Sequence, residues 1–174
     1  LIDGGSYKYN DPDKEMVRYF IGTQSHNTVM LGNHDQMLKG GRFVWFYWTQ
    51  VEDIKLDENE SYYIIDATIS AFRHLDKDCR HRRIVKKQKN RSVWIIEDFI
   101  YSNTNHPIQQ IWHIMPDNKN RLTFVPDVAD DNSLSKKETK AWYSPFYGLK
   151  ESSEQIVFST NTKQLRTTIS FINQ

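Results

Sequence analysis

Long apolar runs are missing from this sequence. The longest, Phe43 to Trp48, falls far short of the about 20 residues that a membrane-spanning helix requires, so neither a transmembrane segment nor a membrane partner is expected. Cysteine is almost absent as well: the lone Cys79 excludes an internal disulfide and a cysteine-built zinc cluster, while fitting a cytoplasmic and a periplasmic chain equally. A surplus of one charge is lacking too. With 23 Lys and Arg against 22 Asp and Glu, the net charge is +1, and any electrostatic partner must be sought in local patches. Leu1-Ile2-Asp3-Gly4-Gly5 offers neither an initiator methionine nor a basic region followed by an apolar run, so it shows no secretion signal and reads as the interior of a gene product.

What the chain does have is length and rings. Its 174 residues, 38 % hydrophobic and 13 % aromatic, suit one folded domain over 1–174 that needs no staple. Apolar positions alternate with period two. The clearest case sets Tyr63, Ile65, Ala67, Ile69 and Ala71 on one face, expected to be core, against Tyr62, Ile64, Asp66, Thr68 and Ser70 on the other. Further strands are expected at 16–21, 28–31, 82–86, 93–101, 109–115, 122–125, 155–159 and 165–172. Phe43 to Trp48, apolar on both faces, is expected as a central strand or the rim of a ring-lined groove. Residues 127–140 read as a long polar loop. Gly and Asn-Asp-Pro turns separate the strands, so the expected fold class is all-β, a two-layer antiparallel β-sandwich with at most one short helix.

Two charge patches stand out: acidic Glu52, Asp53, Asp57, Glu58 and Glu60, and basic Arg80, Arg82, Arg83, Lys86, Lys87, Lys89 and Arg91. Runs of this kind usually serve solvation; the basic one is also a candidate polyanion contact, though no nucleic-acid motif accompanies it and none is expected as partner. Among six histidines, His26 has the most telling context. It lies in the polar run Thr23-Gln24-Ser25-His26-Asn27-Thr28 leading into an apolar strand, about twenty positions before Trp45, Tyr47 and Trp48. Imidazole and amide donors near aromatic faces suit a sugar. His113, between Trp112 and Ile114, reads as a core histidine. His81 and Arg83 share one strand face, directed inward or toward a cleft.

Four motifs in order, Asp3-Gly4-Gly5-Ser6-Tyr7-x-Tyr9, Arg18-Tyr19-Phe20, Ser25-His26-Asn27-Thr28-Val29 and Gly32-x-x-Asp35-Gln36, resemble the C-terminal part of the heparinase II/III-like family. His81-Arg82-Arg83-Ile84-Val85, Trp94-Ile95-Ile96-Glu97-Asp98, Gln110 to Pro116 and Trp142-Tyr143-Ser144-Pro145-x-Tyr147-Gly148 extend the likeness over nearly the whole chain.

The resemblance implies a supersandwich-like β domain that, in complete members, follows an N-terminal α/α toroid of the same polypeptide, absent from this chain. It implies a bacterial lyase cleaving acidic polysaccharides such as heparin, heparan sulfate or alginate by β-elimination, in the periplasm or outside the cell. His26 is then the catalytic candidate, with Asn27 orienting the ring or donating to a sugar oxygen. Trp45, Tyr47, Trp48 and Arg83 are candidate substrate contacts. The family's catalytic tyrosine and carboxylate-neutralising asparagine belong to the toroid, so the isolated domain is expected to be inactive. No cofactor is required. The resemblance admits a divalent metal, zinc or calcium, with His81 as a ligand and Asp35 or Asp66 as its carboxylate. The competing reading is a non-catalytic carbohydrate- or polyanion-binding module.

Overall fold

Residues 14–21 are helical, where a strand over 16–21 was expected. The computed structural model describes residues 1–41, 43–128 and 133–172, and α1 (Lys14–Ile21) is the one α-helix among them. Its cause lies just upstream. The Asp13 carboxylate accepts the backbone N–H groups of Glu15 and Met16, both at 3.1 Å, satisfying two donors that a helix start leaves open. With that cap in place, the apolar residues of 16–21 take the helical period.

Twelve strands follow: β1 (Val29–Leu31), β2 (Leu38–Lys39), β3 (Trp45–Phe46), β4 (Gln50–Glu58), β5 (Tyr62–Ser70), β6 (Arg80–Gln88), β7 (Val93–Tyr101), β8 (Ile108–Ile114), β9 (Leu122–Asp127), β10 (Ser135–Tyr143), β11 (Glu151–Thr160) and β12 (Gln164–Phe171). They form an all-β antiparallel sandwich. One sheet has the order β1-β8-β11-β10 and the other β4-β5-β6-β7-β12-β9. Val29, Ile108, Trp112, Ile156 and Phe158 from the first meet Ile96, Ile100, Leu165 and Ile169 from the second, and all nine are buried. Burying such side chains stabilises by about 1.5–3 kcal/mol each, which is what holds the layers face to face.

The face of β5 expected to be core is only partly covered. Ile69 packs on the core and Ala71 is fully buried, but Tyr63 and Ile65 remain 54 % and 46 % exposed. In register they lie opposite Glu58 and Leu56 of β4, whose residues are exposed along the whole strand. The six-stranded layer is two strands wider than its partner, so the β4–β5 end of its inner face projects beyond the sandwich.

Two further expectations are corrected. Phe43 to Trp48 is not a central strand: only Trp45 and Phe46 are extended, pairing with Leu38 and Lys39 in a separate two-stranded arm, and the positive φ of Tyr47 (57°) ends the strand there. The polar interval 127–140 is not all loop: Ser135 onward belongs to β10, a sheet-edge strand whose polar composition suits its exposure, while 129–132 fall outside the described residues.

Candidate active site

The Asp3-Gly4-Gly5 turn is wedged between two segments distant in sequence. Gly4 donates its N–H to the Ser25 carbonyl at 2.9 Å and accepts from the Ser144 N–H at 2.8 Å. A Cβ on Gly4 would sit 2.7 Å from both Cβ and O of Ser25, and Gly5 adopts φ +68°, so glycine is required at both positions by close approach and by handedness. This clamp brings the Asp3 carboxylate to His26. The His26 Nδ1 lies 2.7 Å from Asp3 Oδ2, and Asp3 Oδ1 accepts the Gly5 N–H at 2.9 Å. Partial burial pushes the Asp3 carboxyl upward, but the bonds from His26 and Gly5 outweigh it, and its pKa lies below the usual carboxylate value.

A carboxylate on Nδ1 fixes the proton there and leaves the Nε2 lone pair as the acceptor. Nε2 of His26 has no hydrogen-bond partner among the described residues, and the side chain is 44 % exposed. That nitrogen is therefore open to a partner at the surface. Asp3, which the sequence offers only as the first residue of a motif, is the orienting group; at 23 positions from His26, their pairing leaves no local signal.

Asn27 is committed inward. Its amide nitrogen donates to the Ile2 carbonyl at 2.8 Å, and its amide oxygen accepts the His113 N–H at 2.7 Å. His113 is buried, with Nε2 held 2.9 Å from the Gln24 carbonyl, and burial lowers its pKa so that it stays neutral. These bonds pin both neighbours of the dyad, the chain before Asp3 and the turn before His26. Asn27 thus positions rather than touches.

A buried polar cluster lies behind this staple. Asp98 is fully buried in β7 and receives the Arg83 guanidinium on both oxygens (2.7 and 2.8 Å), His81 Nε2 at 2.7 Å and the Gln110 amide at 2.6 Å. The Gln110 oxygen in turn accepts from Trp112 and Thr167. Burial alone would raise the Asp98 carboxyl; Arg83 and His81 overcome that and hold it far below the carboxylate range. Arg83 also donates to the Asn27 carbonyl at 2.5 Å, which ties the cluster to the dyad.

His26, Asn27 and Arg83 therefore belong to one network. The aromatic candidates do not. Trp45, Tyr47 and Trp48 lie on the β2–β3 arm, where the Trp48 indole donates to the Trp45 carbonyl and Tyr47 approaches His74 at 6.1 Å. Trp45 borders a hollow of about 320 Å³ with Arg18, His34, Asp35 and His74. His81 meets neither expected carboxylate: Asp35 accepts the Thr23 N–H, and Asp66 holds Arg82 bidentately. Nor does its setting fit zinc or calcium. Both Asp98 oxygens already carry a guanidinium, a cation beside which a metal ion would be repelled, and no three His, Cys, Asp or Glu among the described residues are grouped to hold one.

Sandwich and dyad together define a β domain presenting a carboxylate-oriented histidine at its surface. The chain belongs to the heparinase II/III-like family, whose C-terminal model matches residues 1–172. Among solved structures it is similar to heparan sulfate lyase HepC from Pedobacter heparinus, at TM-score 0.76 and 15 % identity over 99 % of this chain, and to a heparinase III gene product, at TM-score 0.73 and 16 % identity over 100 %. A further heparinase III structure matches with TM-score 0.71 and 14 % identity. In each case the chain spans 28 % of the other's length. No curated protein matches it in sequence.

Proposed function

We propose that this chain is the β-sandwich domain of an acidic-polysaccharide lyase and that His26 is the group it contributes to the reaction. The observation carrying this reading is the 2.7 Å contact between Asp3 and His26 inside the motifs that resemble the family. In β-elimination a base removes the proton next to the uronate carboxylate, the electron pair forms the ring double bond, and the glycosidic oxygen leaves with a proton. An imidazole whose Nδ1 is held by Asp3 presents Nε2 for one of these transfers. The opposite wall, expected on an α/α toroid of the same polypeptide, would neutralise the carboxylate and complete proton transfer. A substrate of this kind is met in the periplasm or outside the cell.

Replacing His26 by Ala in the complete gene product should lower lyase turnover by about 10²- to 10⁴-fold, the usual worth of a general acid or base, with the thermal midpoint little changed. Near-native turnover in that variant would remove His26 from the mechanism. The isolated 174-residue chain should form no unsaturated uronate on heparin, heparan sulfate or alginate, because positioning between two walls supplies about 7–11 kcal/mol of barrier reduction.

Binding through the basic β6–β7 hairpin, the competing reading, has less support. Arg80, Arg82, Lys86 and Lys89 are each paired with a carboxylate, respectively Glu52, Asp66, Glu97 and Glu58.

A further inference from the structure

Two cations without a carboxylate partner lie close together around β10 and the start of β11. Lys140 and Lys150 place their ammonium groups 4.7 and 5.0 Å from the centre of the Trp142 ring. Lys150 also lies 5.4 Å from the Tyr7 ring, which Lys8 approaches at 5.0 Å. Among the described residues, Lys8 is paired with Asp11 at 3.0 Å, whereas neither Lys140 nor Lys150 makes an ion pair. Glu154, which faces Lys140 across the β10–β11 ladder, is taken by Lys119 at 2.7 Å. Two ammonium groups thus lie within 5.0 Å of one indole ring, and the nearby carboxylates Glu154 and Glu138 are paired with Lys119 and Lys136 instead, an arrangement that leaves both cations open to an incoming anion.

Beside them lie exposed rings. Tyr9 contacts Tyr147 at 5.6 Å and Phe43 at 6.3 Å, and these three are 59 %, 59 % and 70 % exposed. The backbone under this surface is firm. Trp142 exchanges two 3.1 Å hydrogen bonds with the Tyr19 hydroxyl of α1, and Gly148 donates to the Tyr7 carbonyl at 2.8 Å. Ser144 to Gly148 are thereby zipped to Gly4 to Tyr7, the segment that begins at Asp3. Asp3 and Tyr9 are six positions apart, so their Cα atoms lie at most about 22 Å from each other.

We propose that Lys140 and Lys150, with the faces of Tyr9 and Tyr147, form a separate subsite for a sulfated or carboxylated sugar chain, holding it away from His26. Ring faces give flat apolar contact for the sugar, and the ammonium groups meet its anions as mobile point charges. The substrate class rests on the lyase reading; the subsite itself is tested by binding alone.

The experiment is calorimetric titration of the 174-residue chain with a heparan sulfate octasaccharide, with single-stranded DNA of equal charge as comparison. The double variant Lys140→Gln/Lys150→Gln should bind the octasaccharide at least tenfold more weakly than the parent with an unchanged thermal midpoint, and Tyr147→Ala should also weaken it. Lys86→Gln/Lys89→Gln, which removes the same charge from the paired hairpin, should bind like the parent. Absence of binding by the parent, equal loss in both double variants, or equal affinity for the DNA would overturn the subsite. Turnover of the complete gene product separates the two ideas: binding through Lys140 and Lys150 without cleavage sinks the lyase reading alone, and cleavage without any binding through Lys140 and Lys150 sinks the subsite alone.

Discussion

At the scale of single residues, the buried ionisable groups do more for stability than the surface dyad. Asp98 has no solvent to turn to, so each of its partners is needed. Replacing it by Ala strands the Arg83 guanidinium and the His81 ring, and should cost about 3–5 kcal/mol in urea unfolding, a loss that breaking exposed pairs such as Lys55 with Asp53 would not approach. Because its folded pKa is lowered, the carboxylate's contribution is complete at neutral pH and fades only as pH falls below about 3.9, the unfolded value, toward the folded one. His113 acts in the opposite range. Its folded pKa is lowered by burial, so below pH about 6.5 the unfolded chain takes up a proton that the folded chain refuses, and stability declines with acidity. His74, lowered by burial and by His34, adds to the same trend. Unfolding midpoints at pH 7.5, 6.5 and 5.5 should fall for the parent and fall less for His113→Gln; parallel curves would show that His113 is not the titrating group.

At the scale of elements, the turn that carries Asp3 is the vulnerable part of the site. Gly4→Ala puts a methyl group 2.7 Å from the Ser25 backbone oxygen, which cannot yield without moving the turn that ends at His26. This change should reduce turnover of the complete gene product by tenfold or more even though it removes no functional group, and a crystal structure of the variant should show Asp3 withdrawn from His26. An unchanged 2.7 Å contact would mean that the turn is softer than its packing indicates. The same scale explains what the sequence could and could not reveal. β12 was legible because alternation is enforced wherever one face is buried, and β5 kept its alternation although only its Ile69 end reaches the core. β4 was not, since a register shift between Val51 and Asp53 breaks its period and no core lies over it. α1 spans 8 residues, too few for its period to be told from alternation without giving weight to the Asp13 cap. His26 stands out within its motif as a candidate, but Asp3 and Asp98 act through contacts made across the fold.

At the scale of the whole molecule, the unequal width of the two sheets leaves an apolar surface uncovered among the described residues. Val51, Ile54 and Leu56 on β4 are 67 %, 61 % and 77 % exposed and continue the face of Tyr63 and Ile65. β4 is also an edge strand, with one side of its backbone unpaired within the sheet. Lys55, Glu52 and Asp57 interrupt that edge with charge, as edge strands commonly do, but they alternate with the apolar residues rather than replacing them. Contiguous exposed apolar area of this kind drives association. The 174-residue chain on its own should therefore bind an apolar dye and sediment as a mixture that shifts to larger species with concentration. Ile54→Lys together with Leu56→Lys should abolish both effects without lowering the thermal midpoint, because neither side chain is buried in the sandwich. A parent that remains monomeric and dye-free at high concentration would show that the projecting strands fold back in solution to cover themselves.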